Sequence, residues 1–172
     1  MKVLFPELHL RCLKTAQSHV TTDIMRGKNT IVDFWTTQCA RCPTVLDNLE
    51  EFAKNPRCAH IQFISICCDS LDGAREIIER DDDVKWPNIA HFFIEADNKK
   101  KAKEILGFKF VPFCVVTKPN GEIVQMGSHC DIVFDDKSRR MVKNEDGMVK
   151  SSLLSSSVFV VKGSLVIEDL DF

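Results

Sequence analysis

Thr30-Ile31-Val32-Asp33-Phe34-Trp35, followed after three residues by Cys39-Ala40-Arg41-Cys42, decides the reading of this chain. The first stretch is apolar, β-branched and aromatic, which predicts a buried strand. Beyond the cysteines, Leu46, Leu49 and Phe52 recur at helical spacing with Asp47, Glu50 and Glu51 between them. That pattern predicts an amphipathic helix. Two intervening residues bring both sulfurs onto one helical turn, close enough to bond. The free N–H groups and positive dipole end of a helix N-terminus favour a thiolate on the first cysteine, and Arg41 adds positive charge nearby. A C-x-x-C at a strand-to-helix junction is a redox signature. The competing readings are a zinc half-site or a pair of inert cysteines. A structural zinc site usually takes a second ligand pair, but Cys67 and Cys68 are adjacent and His60 is isolated.

The chain has 172 residues, 44% apolar and 28% charged, which suits one soluble domain with a real core. Its net charge of −2 gives no basic excess to recruit nucleic acid. The opening Met1-Lys2-Val3-Leu4-Phe5-Pro6-Glu7 is too short in apolar residues for a secretory segment, and no window approaches a membrane span. Eight cysteines could suggest a disulfide framework. However, Cys67, Cys68 and Cys114 sit in apolar runs, where free cysteine behaves as a small hydrophobe, and the same reading suits Cys12. A reducing, cytoplasmic location follows as the expectation. Cys130 beside His129 reads as a third reactive thiol or a passive surface cysteine.

Along the chain, the pattern predicts a helix from Leu13 to Met25, the Thr30–Trp35 strand, and a helix to Lys54 stopped by Asn55-Pro56. A strand over Ile61–Cys68 and a helix over Asp69–Arg80 follow. Asp81-Asp82-Asp83 reads as a solvated turn, since consecutive carboxylates rarely converge on one ion. Trp86-Pro87 opens an irregular stretch to Glu95. Asp97 is a candidate N-cap and Gly107 the residue past the end of a helix to Leu106. Its lysines 99–101 read as a solvent face. Phe113–Thr117 and Glu122–Met126 flank Lys118-Pro119-Asn120-Gly121, a hairpin. Further on, Arg139–Leu154 suggests one or two short helices, and Val158–Val161 with Leu165–Ile167 another hairpin or a tail. The order argues an α/β domain, a mixed sheet covered on both faces.

With both motif blocks in view, the chain resembles the thioredoxin superfamily. Gly27 to Trp35 with Cys39-x-x-Cys42 resembles that family's strand and active-site helix. Val111-Pro112-Phe113, then Pro119-Asn120-Gly121-Glu122 and Gly127, resembles its cis-proline loop and hairpin. The likeness spans about residues 25–128, within a domain drawn at 1–128 and followed by an extension at 129–172. The long piece between Cys68 and Gly107 is closer to tryparedoxin-like and nucleoredoxin-like members. The resemblance implies that Cys39 is the attacking thiolate and Cys42 the resolving thiol. It implies that Asp33 is the buried acid serving Cys42 and that Trp35 packs beneath the active-site loop. Pro112 is then the cis-proline, with the Val111 backbone pairing with substrate; read from the residues alone, a structural, hydrogen-bonded carboxylate is the alternative for Asp33, and a turn proline for Pro112. Gln38 stands where the family commonly has Trp, and Ala40-Arg41 replaces Gly-Pro; these three border the substrate. Pro43 sits where a missing N–H costs least.

The implied activity is thiol-disulfide oxidoreduction in cell redox homeostasis, with no cofactor or metal. Partners would be protein or small disulfide substrates and an upstream reductase or dithiol donor, with no nucleic acid and no membrane. The alternative is an adaptor that keeps the fold and turns over little. The region from Asp135 to Phe172, lacking Cys and His, reads as an accessory element packing on the core or a partner, or as a gate over the site.

Overall fold

The computed structural model describes residues 2–80 and 83–128, together with the strands 132–134, 142–143, 149–150 and 159–161. The first compact unit covers 1–130. It contains β1 (His9–Cys12), β2 (Ser18–Val20), the single turn α1 (Thr21–Ile24), β3 (Asn29–Trp35), α2 (Cys42–Lys54), β4 (Ile61–Cys67), α3 (Leu71–Ile78), β5 (Ala90–Ile94), α4 (Ala96–Leu106), β6 (Phe113–Thr117) and β7 (Ile123–Gly127). These strands form one seven-stranded sheet ordered β2-β1-β5-β4-β3-β6-β7. The β3–β4 and β4–β5 pairs are parallel and the other neighbours antiparallel. This is the thioredoxin-like α/β architecture, a mixed sheet between helices.

Right-handed crossovers explain where the helices lie. The steps β3→α2→β4 and β4→α3→β5 both move the chain the same way across the sheet, so α2 and α3 belong on one face. The chain then returns past β3 to β6 through α4, on the other face. Strand alternation matches this. Val32, Phe34, Ile64, Ile66 and Val115 join Ala102 and Leu106 of α4 in one buried cluster. Ile31, Asp33 and Trp35 point the opposite way, and the Trp35 ring meets the Trp86 ring edge-on at 6.4 Å. Trp86 is tied to α2, because its indole N–H donates to Asp47 Oδ1 at 2.7 Å. Glu50, buried on the same helix, accepts from the Asn88 backbone N–H at 3.1 Å and its side-chain amide at 2.6 Å.

Several local expectations need correction. No helix runs from Leu13 to Met25; β1 and β2 form an antiparallel hairpin there, followed by one helical turn. The buried Leu8 and Leu10 alternate with exposed His9 and Arg11, which is a strand pattern. Thr21 locks the turn, donating to the Pro6 carbonyl at 2.8 Å and accepting from the Leu8 N–H at 2.9 Å. The stretch after Trp86 is not irregular throughout, because β5 pairs with both β4 and β1. Glu95, and not Asp97, stands at the N-cap of α4; Asp97 lies in its first turn. Gly107 ends α4 in the left-handed region at φ 71°, a conformation only glycine adopts cheaply. Ser70 caps α3 by accepting from the Gly73 N–H at 3.0 Å.

The second unit covers 131–172. In it Ile132–Phe134 pairs antiparallel with Phe159–Val161, and Val142–Lys143 with Val149–Lys150. The helices expected within Arg139–Leu154 are therefore interrupted by strand pairing at both of the latter segments. Phe159–Val161 pairs with Ile132–Phe134, and the expected partner Leu165–Ile167 lies outside the described residues. The remainder of that region, with His129, Cys130, Asp81 and Asp82, lies outside the described residues.

Candidate active site

Strand β3 ends at Trp35, and the chain turns once before entering α2 at Cys42. The turn is held from below by Asp69, which accepts from the Thr37 N–H at 3.0 Å and from the Thr37 hydroxyl at 2.7 Å. Asp69 also accepts from the Ser70 N–H at 2.9 Å and the Cys67 thiol at 3.1 Å. Burial raises its pKa, but the hydrogen bonds from Thr37, Cys67 and Ser70 together outweigh this and hold it below the usual carboxylate range. Pro43 falls in the first turn of α2, where its missing N–H breaks no ladder bond.

Cys39 and Cys42 are joined as a disulfide, with Cα atoms 5.4 Å apart. The two sulfurs are not equivalent. Cys42 is fully buried, at 0% exposure, while Cys39 is half-buried at the surface. The Cys42 backbone N–H points at Cys39 Sγ at 3.2 Å. This donor would stabilise a thiolate there on reduction. Across the gap, Val111 O lies 3.8 Å from Cys39 Sγ, and the Val111–Pro112 peptide bond is cis. Gln38, Ala40 and Arg41 are all exposed around the pair.

Asp33 lies in the row of side chains crossing the sheet on the α2 face. Its register neighbours are Cys114 on β6 and Ser65 on β4. The Cys114 thiol donates to Asp33 Oδ1 at 3.2 Å. Asp33 Oδ2 is buried with no hydrogen-bond partner among the described residues. Burial is the main reason the Asp33 pKa stands well above its ordinary value, with Cys114 adding to the shift. The row continues to His91, whose Nδ1 is 2.6 Å from Ser65 Oγ and whose Nε2 is 2.9 Å from the Trp86 carbonyl. A carbonyl only accepts, so Nε2 carries the proton and Nδ1 accepts from Ser65. Burial lowers the His91 pKa and favours that neutral ring.

A raised carboxyl pKa makes a prediction about stability. The folded protein holds the Asp33 proton to higher pH than the unfolded chain, whose value is about 3.9. Its contribution is therefore complete below that value and is lost as pH rises toward the folded pKa. Asp33→Asn removes the titration while keeping an acceptor for Cys114. Urea midpoints measured from pH 4 to 8 should show the variant gaining on the wild type as pH rises. A stability difference, variant minus wild type, that stays flat or falls as pH rises contradicts this assignment.

Among the described residues Cys12, Cys58, Cys67, Cys68 and Cys114 stand outside any disulfide. Burial lifts the pKa of Cys58 and Cys67 to about 11 and that of Cys68 to about 12, which makes all three poor nucleophiles. Cys12 departs from the expected burial; it is half-exposed at the end of β1. Burial raises its pKa, but hydrogen bonds from Thr15 and Lys14 bring it below the ordinary thiol value. No group of three or more His, Cys, Asp or Glu side chains able to hold a metal occurs among the described residues. No described helix is long and apolar enough to cross a membrane.

Sequence reasoning missed the cleft beside Cys39, an opening of 410 Å³ bordered by Gln38, Lys99, Lys103, Lys109, Phe110 and Val111. Lys99 is not on the solvent face; it is half-buried and donates to the Cys68 carbonyl at 2.9 Å. Phe110 is 82% exposed at the lip, an aromatic side chain that Gln38 does not supply. The only available signal was that Lys99 and Lys103 stand four residues apart, a shared helix face.

Similar proteins place this geometry. The thioredoxin domain of a thiol-disulfide oxidoreductase from Bacteroides vulgatus superposes with a TM-score of 0.61 at 21% identity, over 72% of this chain and 84% of that one. A thiol:disulfide interchange protein from Bacteroides sp. gives 0.61 at 21% identity, over 73% and 80%. Yeast Sco1 gives 0.57 at 21% identity, over 73% and 83%. At these identities the likeness is one of fold. No curated protein sequence matches the chain. The AhpC/TSA family model matches residues 3–126, the strand, both cysteines and the cis-proline loop included, so the chain belongs to the AhpC/TSA family of the thioredoxin superfamily.

Proposed function

We propose that this protein is a thiol-disulfide oxidoreductase acting on disulfides through Cys39 and Cys42. The unequal exposure of the two sulfurs carries the reading: one is reachable beside Val111 and Pro112, the other sealed behind it. In the reduced protein the Cys39 thiolate attacks a substrate disulfide, forming a mixed disulfide and releasing one substrate thiolate, which takes a proton. Cys42, deprotonated, then attacks Cys39 Sγ and releases the second substrate thiol. The substrate gains two electrons and two protons, and the protein is left with the Cys39–Cys42 bond. A dithiol donor or reductase restores the reduced form by the reverse exchange.

Asp33 is the proton acceptor or donor for Cys42 in this scheme, its burial-raised pKa suiting it to hold and pass on a proton. The Val111 carbonyl and the exposed Gln38, Ala40 and Arg41 form the surface that receives an extended substrate segment. We extend the proposal to a reducing, cytoplasmic setting and a part in cell redox homeostasis. The cysteines Cys58, Cys67, Cys68 and Cys114, buried within the fold and outside any disulfide, favour it. Insulin reduction in the presence of dithiothreitol provides the test. The protein should speed precipitation of the insulin chains well above dithiothreitol alone. No acceleration with dithiothreitol or any candidate reductase would defeat the proposal.

A further inference from the structure

The wall of the Cys39 cleft is strongly one-sided in charge. Lys99 and Lys103 stand one helical turn apart on α4, and Lys109 follows in the loop leading to Pro112. Lys103 and Lys109 are exposed, and no ion pair holds Lys99, Lys103 or Lys109 among the described residues. Lys99 spends one N–H on the Cys68 carbonyl, leaving two donors free. The one carboxylate in the wall is Asp69, and its oxygens are already occupied by Thr37, Ser70 and Cys67. Those donors are neutral, so its charge offsets one of the three ammonium groups and the wall stays net positive. Phe110 stands exposed at the same lip, next to the Val111 carbonyl.

We propose that this cleft binds an acidic polypeptide segment, with carboxylate side chains close in sequence to the cysteine that Cys39 attacks. The proposal rests on the oxidoreductase reading and names its substrate class. Three ammonium groups around one half-buried sulfur form a positive funnel, which raises the local concentration of anionic partners and speeds their encounter. Phe110 offers a flat apolar face to a neighbouring side chain, and large exposed aromatics are the residues that anchor interfaces. A polypeptide is favoured over a small anion because carboxylates reaching Lys99, Lys103 and Lys109, a contact on Phe110 and a backbone beside Val111 are spread along an extended strand.

The test separates recognition from turnover. A fluorescent peptide carrying Glu on both sides of a Ser in place of the cysteine is titrated onto the full chain at low salt. It is compared with the same peptide carrying Gln for Glu. The acidic peptide should bind at least about tenfold more tightly, with the difference shrinking as salt screens the charges. Lys103→Glu/Lys109→Glu should abolish the difference, and Lys103→Gln/Lys109→Gln should reduce it. Lys100→Glu, a single charge reversal on an exposed part of the same helix, should leave it intact. Equal affinity for the two peptides in the wild type would overturn the proposal. So would an unchanged preference in Lys103→Glu/Lys109→Glu, or a preference equally lost in Lys100→Glu. If a small dicarboxylic disulfide competes as well as the acidic peptide, the polypeptide assignment is likewise overturned. Because the peptide carries no disulfide, the result stands whether or not insulin is reduced.

Discussion

Replacing Cys39 with Ser should reduce disulfide reduction by about 10⁴-fold or more, the scale on which removal of a nucleophile acts. Cys42→Ser should also stop turnover, but with a different product. Cys39 is half-exposed and receives the Cys42 N–H at 3.2 Å, so it retains both access and a stabilised thiolate when the second sulfur is gone. It still attacks, forms the mixed disulfide and then waits, since nothing displaces the substrate. Non-reducing electrophoresis or intact mass should show a covalent adduct for Cys42→Ser and none for Cys39→Ser. Cys42 is fully buried, so the roles cannot exchange without the helix start opening. If Cys39→Ser trapped substrate through Cys42, or if iodoacetamide labelled the two thiols of the reduced protein equally, the assignment would be reversed.

Phe34→Ala should produce the largest loss of stability of any single change near the site, about 3–5 kcal/mol. Phe34 is fully buried in the central strand. Its ring lies 4.9 Å from Phe108 and 6.4 Å from both Phe5 and Phe113. Phe108 and Phe113 stack on each other at 4.7 Å and bracket the Lys109–Pro112 segment. The truncation therefore loses apolar burial and leaves a cavity, and it also removes the ring on which the cis-proline loop is built. Urea denaturation followed by Trp fluorescence measures the loss. A cost below about 1 kcal/mol would mean that the neighbouring rings collapse into the space.

The elements that the sequence revealed are those with a strong period and clear punctuation. Strand β3 and helix α2 show continuous apolar content or i, i+3 repetition, and the β6–β7 hairpin has Asn120-Gly121 between two short strands. Those elements carry Asp33 and Cys42 and bracket Cys39, so most of the candidate site was visible. The β1–β2 hairpin was not, because its strands are three and four residues long. Such segments provide too few alternations to compete with a spurious helical pattern, while β5 was read as irregular because Trp86-Pro87 just before it signals a loop and no turn pair marks it off. The partners of Asp33 were hidden for another reason. Cys114, Ser65 and His91 become neighbours only through strand register, which no local pattern encodes. The lysine cleft depends likewise on where α4 ends relative to the Val111 loop, a consequence of tertiary packing.

The sealing of Cys42 has a consequence for kinetics. A donor that re-reduces the protein and a substrate that oxidises it must both exchange with the single sulfur at the surface, Cys39. They cannot be seated together, so on the proposed chemistry the protein works by a ping-pong scheme, alternating between two covalent forms with no ternary complex. Each reactant must leave before the other enters, and reciprocal-rate plots at different donor concentrations should run parallel. The lysines and Phe110 at that doorway would then screen the donor as well as the acceptor. Which way electrons run would be set by the relative potentials and abundances of two partners built to the same recognition rules.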